Sequence, residues 1–505
     1  MELYLRTNNT ASAVAIADIP VVDYTALYDD LSERMHDARY HVAHYFATEV
    51  ATGLKFYMII LDDDTSEVLI TSFAPDYYSE EGLASLTAIH AAFHPFEREI
   101  HELYGVAFNH HPWLKPLRFP HDRRDKSSTM DSYPFYSIEG DELHEVNVGP
   151  IHAGIIEPGA FRFICNGEQV LHLEIALGYQ HRGVESEMVR NQNRLRQMLI
   201  AESIAGDSAV AHGTAYAELI EKLADYETDL NLERERLVAI ELERIAMHLA
   251  DTGALATDIG FQLYQVACEA LRTMTINTTQ AWCGNRFGKS LIRPMGSNHP
   301  LTKEKIEMIR GNVREIRRRY NEVRTDILDA PTLLARFEQC GLVPKCEMQR
   351  IGGVGMAARS SGLARDIRAT HPWGFYADAM SHTAVVKHEA DVMARLATRM
   401  DEVLQSADYI EQVLSSYTPS GSISAPNYEA KLMGEALSFS VIEGWRGEIC
   451  HVALTDKQGN ITKYKVKDPS LHNWLGLAIA VRSEGISDFP INNKSFNLSY
   501  CGHDL

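Results

Sequence analysis

The first hundred residues alternate dense apolar runs with short polar breaks. Residues 41–50 and 54–61 are rich in β-branched and aromatic side chains, Asp62-Asp63-Asp64 marks a turn, and residues 68–73 return as a further strand. A helical pattern then covers residues 82–104, with Gly105 as its stop and Pro95 as a break or kink within it. Residues 121–133, HDRRDKSSTMDSY, are polar, lack any apolar period and read as a linker. Strand-like stretches follow at 145–148, 160–165 and 169–177, and helical periods at 187–200, 209–223 and 232–254. In the last of these, Val238, Leu242, Ile245 and Leu249 form an apolar stripe. Glu241, Arg244, His248 and Asp251 form a line of ionisable groups on the adjacent face, and its spacing reads as a solvated surface with i,i+4 pairing. Residues 301–328 carry the cleanest period. Ile306, Ile309, Val313, Ile316, Tyr320, Val323 and Ile327 step by threes and fours, as a packing seam does, with Thr302 placed to cap it and Arg317 to Arg319 on the wet side. A last long helix is expected over 383–414, with Asp391, Arg395, Arg399 and Glu402 on one side, and strands return at 446–455 and 461–466 around a Gln458-Gly459-Asn460 turn. The expected fold class is α+β: a small α+β domain over 1–120, a linker over 121–133, and a mainly helical domain over 134–505, a long-helix bundle with small β elements.

Composition narrows the function classes. With 45% apolar and 23% charged residues, the chain has the balance of a globular protein with large cores. A net charge of −21 lacks the basic footprint of a nucleic-acid binder, so no nucleic-acid partner is expected. The longest apolar run near the C-terminus, residues 474–481, falls far short of the ~20 residues of a membrane span, and MELYLRTNNT has no secretory pattern. The seven cysteines are dispersed with no C-x-x-C pair, which fits reduced, buried thiols and leaves no iron–sulfur ligand set in this chain. The glycine-rich stretch IGGVGMAARSSG lacks dinucleotide-loop spacing and is expected instead to let the backbone pass close to a neighbour.

Candidate chemistry gathers between Val148 and His212. Gly149-Pro150 and Pro158-Gly159 bracket a turn-rich entry holding His152 and Glu157. A strand then delivers Tyr179, His181, Arg182 and Glu185 to the start of a helix, and a kink at Gly206-Asp207 follows, with Glu202 and His212 around it. Taken singly, these are ordinary turn residues and caps. Together, His152, Tyr179, His181, Glu185 and the more distant Asp251 make a set of proton-active groups at element ends.

This block, GPIHAGIIEPGAFRF followed by GYQHRGVE, resembles the large subunit shared by energy-converting nickel–iron hydrogenases and respiratory complex I. ERIAMHLADTGAL, GMAARSSGLARDIR, WRGE and DPSLHNW extend the resemblance downstream, and FEREIHELYGVAFNHHPWLKPLRFP resembles the small hydrophilic complex I subunit, fused here at the N-terminus. The resemblance implies that Tyr179 and Asp251 match residues lining the quinone pocket of complex I and that Glu185 matches a proton-relaying glutamate of the hydrogenases. His152 matches the first histidine of the entry loop, and no convincing match exists for the quinone-bonding one. The two C-x-x-C pairs that hold nickel in hydrogenases fall on Ala205 and Ser208, and on Ser470 and Asn473. The implied role is a redox-coupling subunit without nickel and without a cofactor of its own. It would be served by an iron–sulfur small subunit and coupled to antiporter-like membrane-arm subunits, with a quinone or another small molecule as acceptor, on the cytoplasmic face of the cell membrane. The alternatives are a non-catalytic scaffold and a hydrogenase with atypical ligands.

Overall fold

The computed structural model describes residues 2–75, 82–154, 156–419 and 423–505. Near the N-terminus, four antiparallel strands form a sheet in the order Leu5–Thr7, Glu67–Phe73, Gly53–Asp62, Tyr40–Val50. Its side chains divide by strand parity. Phe56, Met58 and Ile60 pack into the domain's own core, whereas Tyr57, Ile59 and Leu61 face the core of the helical domain. A sheet covered on both faces explains why these strands read as continuous apolar runs rather than alternating ones. A bulge between Val42 and His44 shifts the parity, so that Val42 and Tyr45 share one face and Ala43 and Phe46 the other.

Four long helices, Leu230–Asp258, Gln262–Cys283, Lys303–Leu328 and Val392–Ser416, pack each against the next in a ring. The expected seam on Lys303–Leu328 is buried at Ile306, Ile309, Val313, Ile316, Tyr320 and Ile327, and the Thr302 hydroxyl caps the helix by accepting from the Lys305 N–H. Arg317 and Arg318 lie exposed on the outer side. Leu143–Val148, Ala160–Asn166 and Gln169–Ala176 form a three-stranded sheet. Ala436–Glu443, Glu448–Thr455 and Ile461–Lys467 form another, whose edge is completed by Val14–Ala15. The N-terminal segment is therefore stitched into the helical domain rather than joined to it through residues 121–133 alone. Those residues run mostly exposed to the buried Tyr133.

Several expectations are corrected. The helix expected over 82–104 begins only at His94, because Pro95 occupies its first turn, where a missing N–H costs nothing; short 3₁₀ turns precede it. The stretch 187–200 is two helices, Val184–Arg190 and Arg194–Ala201, since the Asn193 side chain accepts from the Arg196 N–H and starts a new one. The last long helix starts at Val392 with Asp391 as its cap, not at 383. Helix Gln262–Cys283, strand Ala436–Glu443 and helix Ser470–Ala480 carried no clear period and were not expected.

The largest correction concerns Glu241, Arg244, His248 and Asp251. They are not a solvated face: each is 0–2% exposed. Helix Leu230–Asp258 runs through the middle of the domain, and the partners for its charges come from distant segments that its own period cannot reveal.

Candidate functional site

The helical core is built around buried charge. Arg244 donates from Nε to Glu241 at 3.1 Å and from its two terminal nitrogens to the carbonyls of Gly444 and Glu443. Arg359 donates to Glu402 and to Glu443, both at 2.6 Å, and Arg368 grips Asp366 with two bonds while reaching Glu241 at 3.2 Å. His248 Nε2 lies 2.7 Å from Glu402, and His382 Nε2 lies 2.9 Å from Asp366. The Tyr376 and Ser406 hydroxyls donate to Glu241. Three guanidiniums (Arg244, Arg359, Arg368) thus face four carboxylates (Glu241, Glu402, Asp366, Glu443), and the cluster has room for one more proton. Burial pushes both Glu241 and Glu443 up. Arg244 and Arg368 beside Glu241 bring it down to about 2, whereas Glu443, beside Arg359 but also near Asp366, stays at about 7. Glu443 is therefore the carboxyl of the cluster that binds a proton most readily.

Four further buried positions are those that the resemblance sets against the nickel ligands of hydrogenases. Ala205, Ser208, Ser470 and Asn473 are 0–3% exposed. The Asn473 amide pairs twice with the Val354 backbone, accepting from N–H and donating to C=O at 3.1 Å each, and Ser470 Oγ accepts from the Ser499 N–H at 2.9 Å. Two side chains standing for thiolates are thus committed to the protein's own backbone, and an amide and hydroxyls are hard donors at a place where nickel takes soft ones. Such side chains are a poor donor set for nickel. Arg446 spans this region, donating twice to Asp207 at 2.7 and 2.8 Å and once to the Asn497 carbonyl at 2.6 Å. Its turn approaches so closely that a Cβ on Gly355 (φ +66°) would sit 2.1 Å from the Arg446 carbonyl oxygen. This is the backbone contact expected of the glycine-rich stretch.

A cleft of about 590 Å³ opens between the N-terminal helix His94–Tyr104 and the start of helix Val184–Arg190. Lys465 donates to Glu185 at 2.6 Å and to Glu99 at 2.7 Å, and Arg118 donates to Glu99. Burial raises the Glu99 carboxyl, but Lys465 and Arg118 hold it down at about 2. The turn Gly178 to Gly183 is clamped by the last residues of the chain. Asp504 accepts from the N–H groups of Gly178 and Gln180 at 2.8 and 2.9 Å, and its carbonyl lies 2.7 Å from His181 Nδ1.

The residues singled out from sequence fall into three places. His181 and Glu185 share the cleft. Tyr179, next to them in the chain, is half-buried, and its phenol makes no hydrogen bond among the described residues; burial and then Asp131 and Asp504 raise its pKa. Asp251 is deep in the helical domain, paired with Arg399 at 2.8 Å and accepting from Asn497 at 2.6 Å. His152 lies on the entry loop, its Nε2 3.0 Å from the Gly159 carbonyl. That loop folds so tightly that a Cβ on Gly149 (φ +87°) would sit 2.1 Å from the same oxygen. No hydrogen bond or ion pair among the described residues joins Tyr179 to Asp251. Sequence reasoning missed Lys465, Glu99 and Arg118, which hold the cleft, and Arg359, Arg368 and Glu443, which complete the core cluster. Glu99 and Arg118 lie in FEREIHELYGVAFNHHPWLKPLRFP, and Arg359 and Arg368 in GMAARSSGLARDIR, stretches singled out for their resemblance but with no role given to these residues.

Comparison with known proteins agrees with this architecture. Residues 3–132 match the family described as respiratory-chain NADH dehydrogenase, 30 Kd subunit, and residues 258–437 match the 49 Kd subunit family. The membrane-bound hydrogenase subunit alpha of Pyrococcus furiosus is 27% identical over 360 residues, covering 69% of this chain and 84% of that protein. Formate hydrogenlyase subunit 5 of Escherichia coli is 25% identical over 480 residues, covering 91% and 81%. An NADH-quinone oxidoreductase subunit of Phocaeicola vulgatus is 24% identical over 453 residues, covering 82% and 85%. A chain in the structure of the membrane-bound sulfane sulfur reductase, an archaeal respiratory membrane complex, shares the fold with a TM-score of 0.67 at 19% identity, over 73% of this chain and 100% of that one. The chain belongs to the complex I and group 4 hydrogenase family of oxidoreductase subunits. Within it, the chain carries a 30 kDa-type domain and a 49 kDa-type domain fused in one polypeptide.

Proposed function

We propose that this chain is the redox-coupling large subunit of a membrane-bound, complex I-like oxidoreductase that works without nickel. The observation that carries the reading is the pairing of an intact family scaffold with ligand positions turned over to internal hydrogen bonds, at Asn473 and Ser470 above all. Electrons arrive from iron–sulfur clusters in a small partner subunit. Protonation at this chain is coupled to ion movement in antiporter-like membrane-arm subunits, and a quinone or another small molecule is the acceptor. No helix among the described residues is long and apolar enough to cross a membrane, so attachment to the inner face of the cell membrane runs through partners. The family relatives that sit in membrane complexes support this arrangement.

In this reading Tyr179 is the catalytic candidate, because its phenol is protonated and unengaged and is able to donate to a reduced acceptor. Glu185 and His181 exchange protons with the cleft, and His152 orders the entry loop. Asp251 positions Arg399. The test is purification of the intact complex from membranes, with subunit identification and elemental analysis. Iron with no stoichiometric nickel and no hydrogen evolution is expected, and stoichiometric nickel would overturn the reading. In the same membranes, Tyr179→Phe is expected to lower coupled electron transfer by about 10²-fold while the complex stays assembled. Full activity in that variant leaves a scaffold role as the better account.

A further inference from the structure

The cleft and the former ligand positions are joined by one chain of buried groups. Tyr464, in strand Ile461–Lys467, forms part of the cleft wall. Its hydroxyl lies 2.8 Å from Nδ1 of His451. Nε2 of His451 lies 3.1 Å from Nδ1 of His212, and Nε2 of His212 lies 3.1 Å from Oδ2 of Asp468. All four residues are 0–1% exposed. Asp468 stands two residues before Ser470 and receives its N–H at 2.8 Å.

While Asp468 is ionised and His451 is neutral, the chemistry of the four groups permits two hydrogen patterns. Asp468 is an acceptor: burial pushes its carboxyl up, but His212 and Arg446 hold it below the usual carboxylate range. His212 Nε2 must therefore donate to it. If His212 is neutral, its Nδ1 accepts from His451 Nε2–H, and the bare Nδ1 of His451 accepts from the Tyr464 hydroxyl. Every hydrogen then points toward Asp468. If His212 is an imidazolium, its Nδ1–H donates to His451 Nε2, and the His451 proton sits on Nδ1 and donates back to the Tyr464 oxygen. Both patterns pair every nitrogen in the chain, and they differ by one proton. Burial, with His212 and His44 nearby, keeps His451 itself neutral.

We propose that Tyr464, His451, His212 and Asp468 form a proton relay between the interdomain cleft and the Ser208–Ser470 region. The proposal rests on the reading that reduction at this chain is coupled to protonation. In one passage, Tyr464 gives its hydroxyl proton to Nδ1 of His451 as its oxygen takes one from the cleft. His451 gives its Nε2 proton to Nδ1 of His212, and His212 releases its Nε2 proton to Asp468. One proton enters, one arrives, and no electron moves. The charged and titratable groups facing the relay are Glu185, Tyr216 and Cys450 toward Tyr464, His44 toward His451, and Arg446 toward Asp468.

Two experiments test it. In the full-length chain labelled with ¹⁵N at histidine, NMR between about pH 5 and 8 reads the His451 tautomer directly. The expected result is two states of His451 across this range, Nε2–H and Nδ1–H, with the Nδ1–H form present only where His212 carries both of its protons. A His451 tautomer that stays fixed across the range overturns the relay. In the membrane complex driven by a reduced viologen dye, Tyr464→Phe keeps the ring but removes the transferable proton, and proton uptake is expected to slow by about 10²-fold. His451→Gln guards against a folding effect peculiar to one site and is expected to do the same. Uptake at the wild-type rate in both variants overturns the proposal. A wild-type complex that takes up no proton with its electrons overturns the functional reading instead, and the tautomer measurement then decides the relay by itself.

Discussion

Two regions of this molecule gather charges of both signs, and they are built on opposite terms. The core cluster around Glu241, Glu402 and Arg359 is dry, and almost every polar atom in it meets a protein partner. The cleft around Glu185 holds one lysine between two glutamates and stays open to solvent, with Glu185 itself only partly covered. Desolvation makes each member of the first set depend on the others, because a charge left alone there has no water to turn to. In the second, Lys465 and Glu99 are buried as well, but water reaches Glu185, and a proton there has somewhere to go. The difference separates groups that fix the fold from groups free to exchange protons.

The largest loss of stability is expected of Glu402→Ala. Its carboxylate serves His248 at 2.7 Å and Arg359 at 2.6 Å, with Arg368 and Arg244 within 3.9 Å. Removal strands buried guanidinium charge and is expected to cost ~3–5 kcal/mol, read as a lowered denaturant midpoint at unchanged slope. A loss no larger than that of a surface substitution would mean that the cluster is wetter than its burial indicates. Asp251→Asn belongs in the same class, since it leaves Arg399 facing a neutral partner in the core. For that reason Tyr179→Phe, which breaks no hydrogen bond among the described residues, is the cleaner probe of function.

A smaller effect separates the members of the core cluster from one another. Burial and the nearby Asp366 raise Glu443 to about 7, above the ordinary carboxylate value, so the folded state binds its proton more tightly than the unfolded chain does. That contribution is fully present below about pH 4.5 and is lost as pH rises through about 7, a window worth on the order of 3 kcal/mol. Glu443→Gln imitates the protonated form. Its stability is expected to be flatter than that of the native chain across this window and to match or exceed it at the alkaline end, as equilibrium denaturation at a series of pH values would reveal. Glu241, held at about 2, has the opposite sign: its contribution is present at neutral pH and is lost only as acid titrates it.

Periodicity made the long helices legible, down to the Thr302 cap and the Ile306–Ile327 seam, because one face of each packs on a neighbour. It misread Glu241, Arg244, His248 and Asp251, because a charged stripe looks the same in water as in a core that supplies Arg359, Arg368, Arg399 and Glu402 from elsewhere in the chain. Helix Gln262–Cys283 escaped notice because its inner face carries Thr275, Thr278 and Thr279 among the apolar positions. The resemblance picked out Glu185 and Tyr179, but it gave no sign that Lys465 and Glu99 would meet Glu185 from two other parts of the fold. Pairings over such separations are set by tertiary packing, which no local pattern encodes.

The smallest expected change in stability belongs to Glu185→Gln, which alters the cleft alone. Glutamine occupies the same volume, and its amide oxygen still accepts from the Val466 N–H, now at 2.9 Å, or from the Lys465 ammonium, now at 2.6 Å. Lys465 keeps Glu99 as its ionic partner at 2.7 Å, so no buried cation is stranded. With the Glu185 side chain 19% exposed and water at hand in the cleft, the lost charge is expected to cost less than about 1 kcal/mol. The titratable proton, however, is gone. If the cleft exchanges protons with the interior, the variant should unfold like the native chain yet show slowed proton uptake in the assembled complex. Glu402→Ala should fail in the reverse order, losing stability first and activity only as a consequence. Parallel denaturation and proton-uptake measurements on the two variants would show whether fold and function are divided between core and cleft, and a Glu185→Gln complex with native uptake would remove the cleft from the coupling path.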